Sequence, residues 1–261
     1  MPNLIFEYRR ILALLLTGEC VGSVTSPSSV GSGWGSDQRP FREIRGLNLR
    51  VEGVEVLLES SVRPVNVDFA LASGLWTLSG SNLVEEITPF NVRGRQFTND
   101  GYTLSGAFGW RLRHASGFDQ LDAIVDLLQR DPTSRRALAY IGGPGDLQSD
   151  SRDFPCASSV QFFLRDGRLE LLVYMRSQSF YGVFPYDLIN FYYLGAYVAL
   201  RLKVRLSAIH FSFGSLHVYE NEVPGIELFL SMNEATFVDA PEIDLMHPKS
   251  HLDRLLLSIR K

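Results

Sequence analysis

FPCASSVQFFLRDGRLELLVYMRSQSFYGVFPYD, residues 154–187, is the stretch on which the fold turns. Two runs rich in β-forming residues, Ser159 to Leu164 and Leu169 to Met175, are joined across Asp166-Gly167. That dipeptide suits the two left-handed positions of a tight hairpin turn. Pro185 then opens a helix, and Leu188 to Leu202 is apolar nearly all round, the pattern of a helix buried in the centre of a molecule.

The flanking segments follow the same logic. Val204 to Phe213 reads as a last long strand, and Ala137 to Ile141 as a strand before the hairpin. Gly117 to Arg130 sets Phe118, Leu121, Ile124, Val125 and Leu128 at helical spacing and stops before Asp131-Pro132. Val67 to Leu78 reads as a helix with Trp76 on its buried side, and Arg45 to Leu58 alternates as strands do. Near the start, apolar Ile11 to Leu16 follows Glu7, Arg9 and Arg10, which describes an amphipathic helix rather than a leader. The run is far short of the roughly 20 residues a membrane span needs. Gly22 to Gly35 has the composition of a loop. Helices and mostly non-crossover strands in this order predict a single α+β domain over residues 1–261, with the helix and Gly/Ser loop occupying 1–40. No glycine-rich phosphate fingerprint follows a predicted strand, so dinucleotide and P-loop readings fail.

A net charge of -4 gives no basic field for a nucleic-acid backbone, so an anion site must be a local arginine cluster. The 45% hydrophobic and 21% charged content describe a folded globular chain. With only Cys20 and Cys156 there is no disulfide framework and no metal-ligand set, which points to a reducing cytoplasm.

Cys156 taken alone is most simply a small hydrophobe. A thiolate nucleophile gains population near a cation, and Arg135, Arg136 and Arg176 are the nearby candidates, also able to fork onto a phosphate. Adjacent arginines on a strand point to opposite faces, so Arg135 and Arg136 cannot easily serve one site in their own subunit. His217 and Tyr219 alternate onto one face, suited to gripping one ligand, although a core histidine is the plainer account.

The order Ser134-Arg135-Arg136, Pro155-Cys156, Gln161-Phe162, Tyr174-x-Arg176-Ser177, Pro185-Tyr186-Asp187 and His217-x-Tyr219-x-Asn221 resembles thymidylate synthase and its relatives, the deoxycytidylate and cytidylate hydroxymethylases. The likeness runs from about Arg45 to Glu222. It implies a large mixed β-sheet covered by helices, paired sheet to sheet in a homodimer, and a pyrimidine nucleoside monophosphate as substrate. On that resemblance Cys156 adds to C6 of the ring, Arg176 and Ser177 bind the 5′-phosphate, and Arg135 and Arg136 reach into the neighbouring subunit's site. His217 and Tyr219 hold the sugar 3′ hydroxyl, Gln161 is a structural glutamine, Asn221 orients His217 or the ligand, and Arg39 or Arg42 supplies a further phosphate contact. Methylenetetrahydrofolate is the implied one-carbon cofactor; no metal, nucleic acid or membrane is implied.

Departures from the pattern are as telling. Thymidylate synthases carry asparagine where Asp187 stands. A carboxylate instead accepts from the N4 amino group of cytosine, and with a protonated N3 becomes a charge-assisted partner, although an acidic residue in a helix's first turn also has a purely structural reading. The family's general-acid glutamate, three residues before the tryptophan of Leu75-Trp76-Thr77-Leu78, is Ser73, with Asp68, Glu85 and Glu86 as possible substitutes. The pterin-gripping aspartate is Ser179, the aspartate two before the histidine is Ser215, the tyrosine before Gly109 is Phe108, and the tail ending Leu257 to Lys261 reads as shortened. The leading expectation is therefore a CMP or dCMP 5-hydroxymethylase, in which water rather than hydride completes the reaction. Folate-independent C5 modification or proton exchange, a non-catalytic nucleotide-binding homologue, and thymidylate synthase itself are the alternatives.

Overall fold

The computed structural model describes residues 3–18, 20–25 and 38–259. Its centre is the crossover read from the opening stretch. Strand β5 (Ala157–Arg165) turns through Asp166 at φ 49° and Gly167 at φ 68° into β6 (Arg168–Ser179), with Arg165 opposite Arg168. Positive φ at both turn positions is what a two-residue hairpin requires, and Asp and Gly tolerate it.

Helix α5 (Phe184–Leu202) then carries the chain back across the sheet to β7 (Arg205–Tyr219), which pairs parallel to β6. Around this unit the remaining strands assemble into a six-stranded mixed sheet of order β1-β2-β7-β6-β5-β4, where β1 is Cys20–Thr25, β2 Gln38–Glu52 and β4 Leu138–Tyr140. A separate two-stranded ribbon joins β3 (Glu55–Glu59) to β8 (Thr236–Asp239).

One face of the sheet is dry. Leu169, Leu171, Val173 and Met175 of β6 are fully buried, whereas Tyr174 and Arg176 on the alternate face are exposed, as a period of two dictates. Over the dry face lies α5, with α2 (Val67–Ser79) packed on it in turn. The two helices approach so closely that a Cβ on Gly74 of α2 would collide with the ring of Tyr193. The outer side of α2, with Leu75 and Trp76, joins a second cluster that includes Leu252 and Leu256 of α7 (Pro248–Ile259).

The N-terminal helix α1 (Leu4–Thr17) is amphipathic as read, capped by Asn3 and burying Tyr8, Ile11, Leu12 and Leu15. Tyr8 sits within an aromatic cluster of Phe180, Phe184, Phe229 and Phe237. Its neighbour Arg9 binds the carbonyls of Phe229, Leu230 and Met232, the open end of α6 (Val223–Ser231). Short α3 (Phe108–Arg113) and α4 (Gln120–Arg130) complete the α-helices among the described residues. No described helix is long and apolar enough to cross a membrane.

Several boundaries differ from expectation. Gly22 begins no loop: residues 22–25 belong to β1, and residues 26–35 of the expected loop lie outside the described residues. The strand expected over Val204 to Phe213 continues to Tyr219, because β2 and β6 pair with it that far, and it is followed by β8. Arg135 and Arg136 precede β4 instead of lying in a strand, so the opposite-faces argument does not apply to them. The helix expected from Gly117 starts at Gln120, because Asp119 caps it by accepting from the backbone N–H groups of Leu121 and Asp122.

Alanine for glycine inside a helix ordinarily stabilises by about 0.5–1 kcal/mol. At Gly74 the sign reverses, since the added methyl must displace the Tyr193 ring. Gly74→Ala is expected to cost roughly 1–3 kcal/mol and lower the thermal midpoint by several degrees. A midpoint at or above that of the unsubstituted protein in a circular-dichroism melt contradicts the close α2–α5 contact.

Candidate active site

The fold brings one group of chemistry-bearing residues together at the end of the sheet where β5 begins. Cys156 immediately precedes β5, and its carbonyl accepts from the Arg176 backbone N–H at 2.8 Å. The Arg176 side chain curls back over the same loop. Its Nε donates to the Pro155 carbonyl at 2.9 Å, Nη2 donates to the Phe154 carbonyl at 3.1 Å, and the guanidinium stacks 4.3 Å from the Phe154 ring. Arg176 is thereby fixed, with N–H groups left over for an anion. Ser177 follows it, opposite Ser215 of β7.

Cys156 is open to solvent yet surrounded by protein, the combination a cleft floor produces. Burial pushes its thiol up to about 11; the Arg176 charge opposes this, and the Asp187 and Asp153 carboxylates reinforce it. Cys156 is thus held as a thiol.

Asp187 lies in the first turn of α5, only 8% exposed. Burial drives its carboxyl up to about 6 against the pull of a hydrogen bond from Gln178 Nε2, which donates to Oδ2 at 3.0 Å. One helical turn on, Asn190 Nδ2 donates to Ser73 Oγ at 3.0 Å. Gln178 Oε1 and Asn190 Oδ1 are buried without a hydrogen-bond partner. A buried unpaired acceptor costs about 1–3 kcal/mol, so the interior here wants donors.

Across from this group, the ring centroids of His217 and Tyr219 lie 5.1 Å apart on one face of β7, as their alternation implies. Burial lowers the His217 pKa, so the ring stays neutral although the Ser215 backbone and Glu43 favour its charged form. Burial raises the Tyr219 pKa, against the Arg39 charge. Of the two N-terminal arginines, Arg39 faces the site, its guanidinium 5.6 Å from the centre of the Tyr219 ring. Arg42 is bound to the Glu220 carboxylate at 2.8 Å.

Other expected participants are elsewhere. Gln161 sits five residues along β5 from Cys156, roughly 16 Å at ~3.3 Å per residue, and its Nε2 donates to the Arg135 carbonyl at 2.9 Å. Arg135 and Arg136 are exposed at that distant end, beyond the reach of a guanidinium to Cys156 in the same chain. Asn221 is exposed. The proposed substitutes for the absent glutamate also fail: Asp68 and Glu85 are exposed, and Glu86 is held by Lys249 Nζ at 2.7 Å.

Gln178, Asn190, Asp153 and Glu222 were not foreseen. A signal for Asn190 was present, since it is a lone amide in an apolar helix and follows Asp187 by three residues. A depression of about 470 Å³ at the opposite end of the sheet, lined by Arg50, Glu52, Arg165, Asp166, Arg168, Glu170 and Ser207, carries no cysteine, and its Ser207 hydroxyl donates to the Leu169 carbonyl at 3.0 Å. Its Arg50 pairs with Glu52 at 2.9 Å and with Glu170 at 3.5 Å.

Comparison with known proteins agrees with this geometry. The family model described as thymidylate synthase matches residues 56–257. A deoxyuridylate hydroxymethyltransferase of Bacillus phage SP01 is 33% identical over 60% of this chain and 44% of its own. Another of that name from Pseudomonas phage M6 is 31% identical over 69% of this chain and 53% of its own. A thymidylate synthase of Mycoplasma genitalium is 28% identical over 59% and 53%. The chain spans about half the length of the curated relatives it matches. Thermostable thymidylate synthase A from Bacillus subtilis superposes with a TM-score of 0.72 at 20% identity, covering 92% of this chain and 87% of that one. With a family match across most of its length, and with Cys156, Arg176 and the Asp187 carboxylate gathered at one sheet end, the chain belongs to the thymidylate synthase family.

Proposed function

We propose that this protein is a C5 one-carbon transferase that hydroxymethylates a cytosine nucleoside monophosphate, CMP or dCMP, with methylenetetrahydrofolate as carbon donor. The observation that carries the reading is Asp187. Gln178 occupies Oδ2, which leaves Oδ1 as the acceptor offered to the base, and Asn190 Oδ1 adds a second. The N4 amino group of cytosine supplies two hydrogens to such a surface, whereas O4 of uracil is itself an acceptor.

Cys156 adds to C6, giving C5 nucleophilic character. A thiol near 11 is about one part in 10⁴ thiolate at pH 7, so attack is coupled to loss of the proton, and the Arg176 charge favours the sulfur anion. Arg176, Ser177 and Arg39 form the anion side for the 5′-phosphate, and His217 with Tyr219 holds the sugar. The cofactor supplies a one-carbon unit at the methylene level; on the Ser179 side of the cleft the half-buried carboxylate of Glu222 fits its heterocycle. Once C5 has taken that carbon, loss of the C5 proton and departure of the carrier as tetrahydrofolate would leave an exocyclic methylene on the base; water adds to it as Cys156 leaves C6, giving the 5-hydroxymethyl group. Arg135 and Arg136 complete the phosphate site of a second subunit. A homodimer is supported by their exposure and by a sheet face, carrying Tyr140 and Tyr174, that no described helix covers.

A second reading keeps the chemistry and changes the base. Two relatives are named for deoxyuridylate, and a neutral Asp187 carboxyl can donate to O4. With that carboxyl at about 6, the neutral form at pH 7 costs about 1.4 kcal/mol. Uracil turnover should then rise as pH falls through 6, while cytosine turnover needs no such proton.

Tritium release from C5-labelled CMP, dCMP and dUMP, with and without methylenetetrahydrofolate, decides between these readings. Folate-dependent release from a cytosine nucleotide with a 5-hydroxymethyl product is expected, and Cys156→Ala should abolish it. Release from dUMP alone moves the protein to the second reading. Release without folate indicates a different C5 modification, and no release from any nucleotide leaves a binding protein.

Asp187→Asn should invert the preference, raising kcat/KM for a uracil nucleotide relative to a cytosine nucleotide by about tenfold or more, since each wrong donor or acceptor pairing costs on the order of 1–3 kcal/mol. The same change should stabilise the protein at neutral pH. A carboxyl at about 6 when folded, against 3.8 ordinarily, has a stability contribution present below pH 3.8 and lost as pH rises through 6. The variant's advantage in thermal midpoint should therefore be full above pH 6 and shrink below it.

A further inference from the structure

Nucleotide binding leaves one carboxylate beside the site unused. Glu222 ends the short turn after β7, and its Oε2 accepts from the Tyr219 backbone N–H at 2.9 Å. Among the described residues, Oε1 has neither a hydrogen-bond donor nor a cation within ion-pair distance. Burial raises its carboxyl pKa. The nearby guanidinium of Arg63 is committed elsewhere, donating to the Tyr181 and Gly182 carbonyls at 2.7 Å each and lying 5.7 and 5.4 Å from the Tyr181 and Tyr186 ring centres.

The space around Oε1 depends on a missing side chain. A Cβ at Gly182 would stand 2.6 Å from Glu222 Oε1 and 3.1 Å from Ser179 Oγ. Any larger residue at 182 would push the carboxylate away, so glycine lets Glu222 and Ser179 converge on one small region. Ser179 can offer a hydroxyl there but no charge.

The pterin ring of a folate presents two adjacent parallel donors, its ring N3–H and its 2-amino group. A carboxylate with a free oxygen is their complement, and charge-assisted hydrogen bonds of this kind are the strong ones. We infer that Glu222 supplies the acceptor for the pterin ring of the one-carbon carrier, delivered from the turn after β7 through the gap at Gly182 in place of an acidic side chain at 179. This rests on the reading that the protein uses a folate.

Tetrahydrofolate, which lacks the transferable carbon and cannot turn over, is the probe, titrated calorimetrically into protein saturated with CMP or with dUMP. Glu222→Gln retains an acceptor for the Tyr219 N–H and should raise the Kd for tetrahydrofolate by about tenfold or more while changing the nucleotide Kd less than about twofold. Gly182→Ala, which displaces the carboxylate without altering it, should weaken tetrahydrofolate in the same way. Ser179→Asp in the Glu222→Gln background should restore it. Unchanged tetrahydrofolate affinity in Glu222→Gln overturns the assignment and leaves the folate reading intact. Equal losses of tetrahydrofolate and nucleotide affinity overturn it in favour of a structural support for Tyr219. If the unsubstituted protein binds no tetrahydrofolate with either nucleotide, the folate reading and the assignment fall together.

Discussion

Helix α5 must be walled in. Its apolar surface runs nearly all round, so it is stable only with the sheet on one side and α2 on the other. That single requirement fixes the parallel crossover from β6 to β7, the close approach at Gly74 and the depth at which the N-terminal turn of α5 begins. Asp187 is in that turn, so packing demanded by apolar residues further along the helix carries a carboxylate into the interior. The electrostatic character of the site is in this sense a by-product of core burial, with one amide from Gln178 donating to the carboxylate.

Burying acceptors without partners has a cost in the free protein, and the distribution of that cost is informative. The unpaired atoms Gln178 Oε1 and Asn190 Oδ1 lie beside Asp187, and the carboxyls of Asp187, Asp153 and Glu222 are all raised by burial. Structures tend to carry such strain where a ligand relieves it. The Cys156 thiol is pushed up by the same surroundings.

The fold was largely legible because its signals are local. Asp166-Gly167 specifies its own turn, and the apolar run after Pro185 specifies its own burial. Strand β1 was not legible, since Gly22 to Thr25 falls within the Gly/Ser-rich stretch read as a loop and becomes a strand by pairing with β2. The positions of Cys156, Arg176, Asp187, His217 and Tyr219 followed from motif order. Glu222 did not, because its meaning depends on Gly182, forty residues earlier, and on a gap no sequence pattern displays. Arg135 and Arg136 are kept from Cys156 of their own chain by distance along β5 and not by the strand alternation expected of them.

The position that resemblance gives to a general acid holds Ser73, paired with Asn190. Neither side chain titrates near neutrality, so this pair cannot pass on a proton of its own, but a hydroxyl and an amide together can hold a water in place through complementary donors and acceptors. A reaction finished by water needs a positioned water at C5 more than it needs a strong acid there, whereas general acid catalysis is typically worth ~10²–10⁴-fold where proton delivery limits the rate. On the proposed reading, exchange of a titratable group for a neutral hydrogen-bonding pair and the presence of a carboxylate at 187 would be one coherent change, moving charge from the side where water arrives to the side that reads the base.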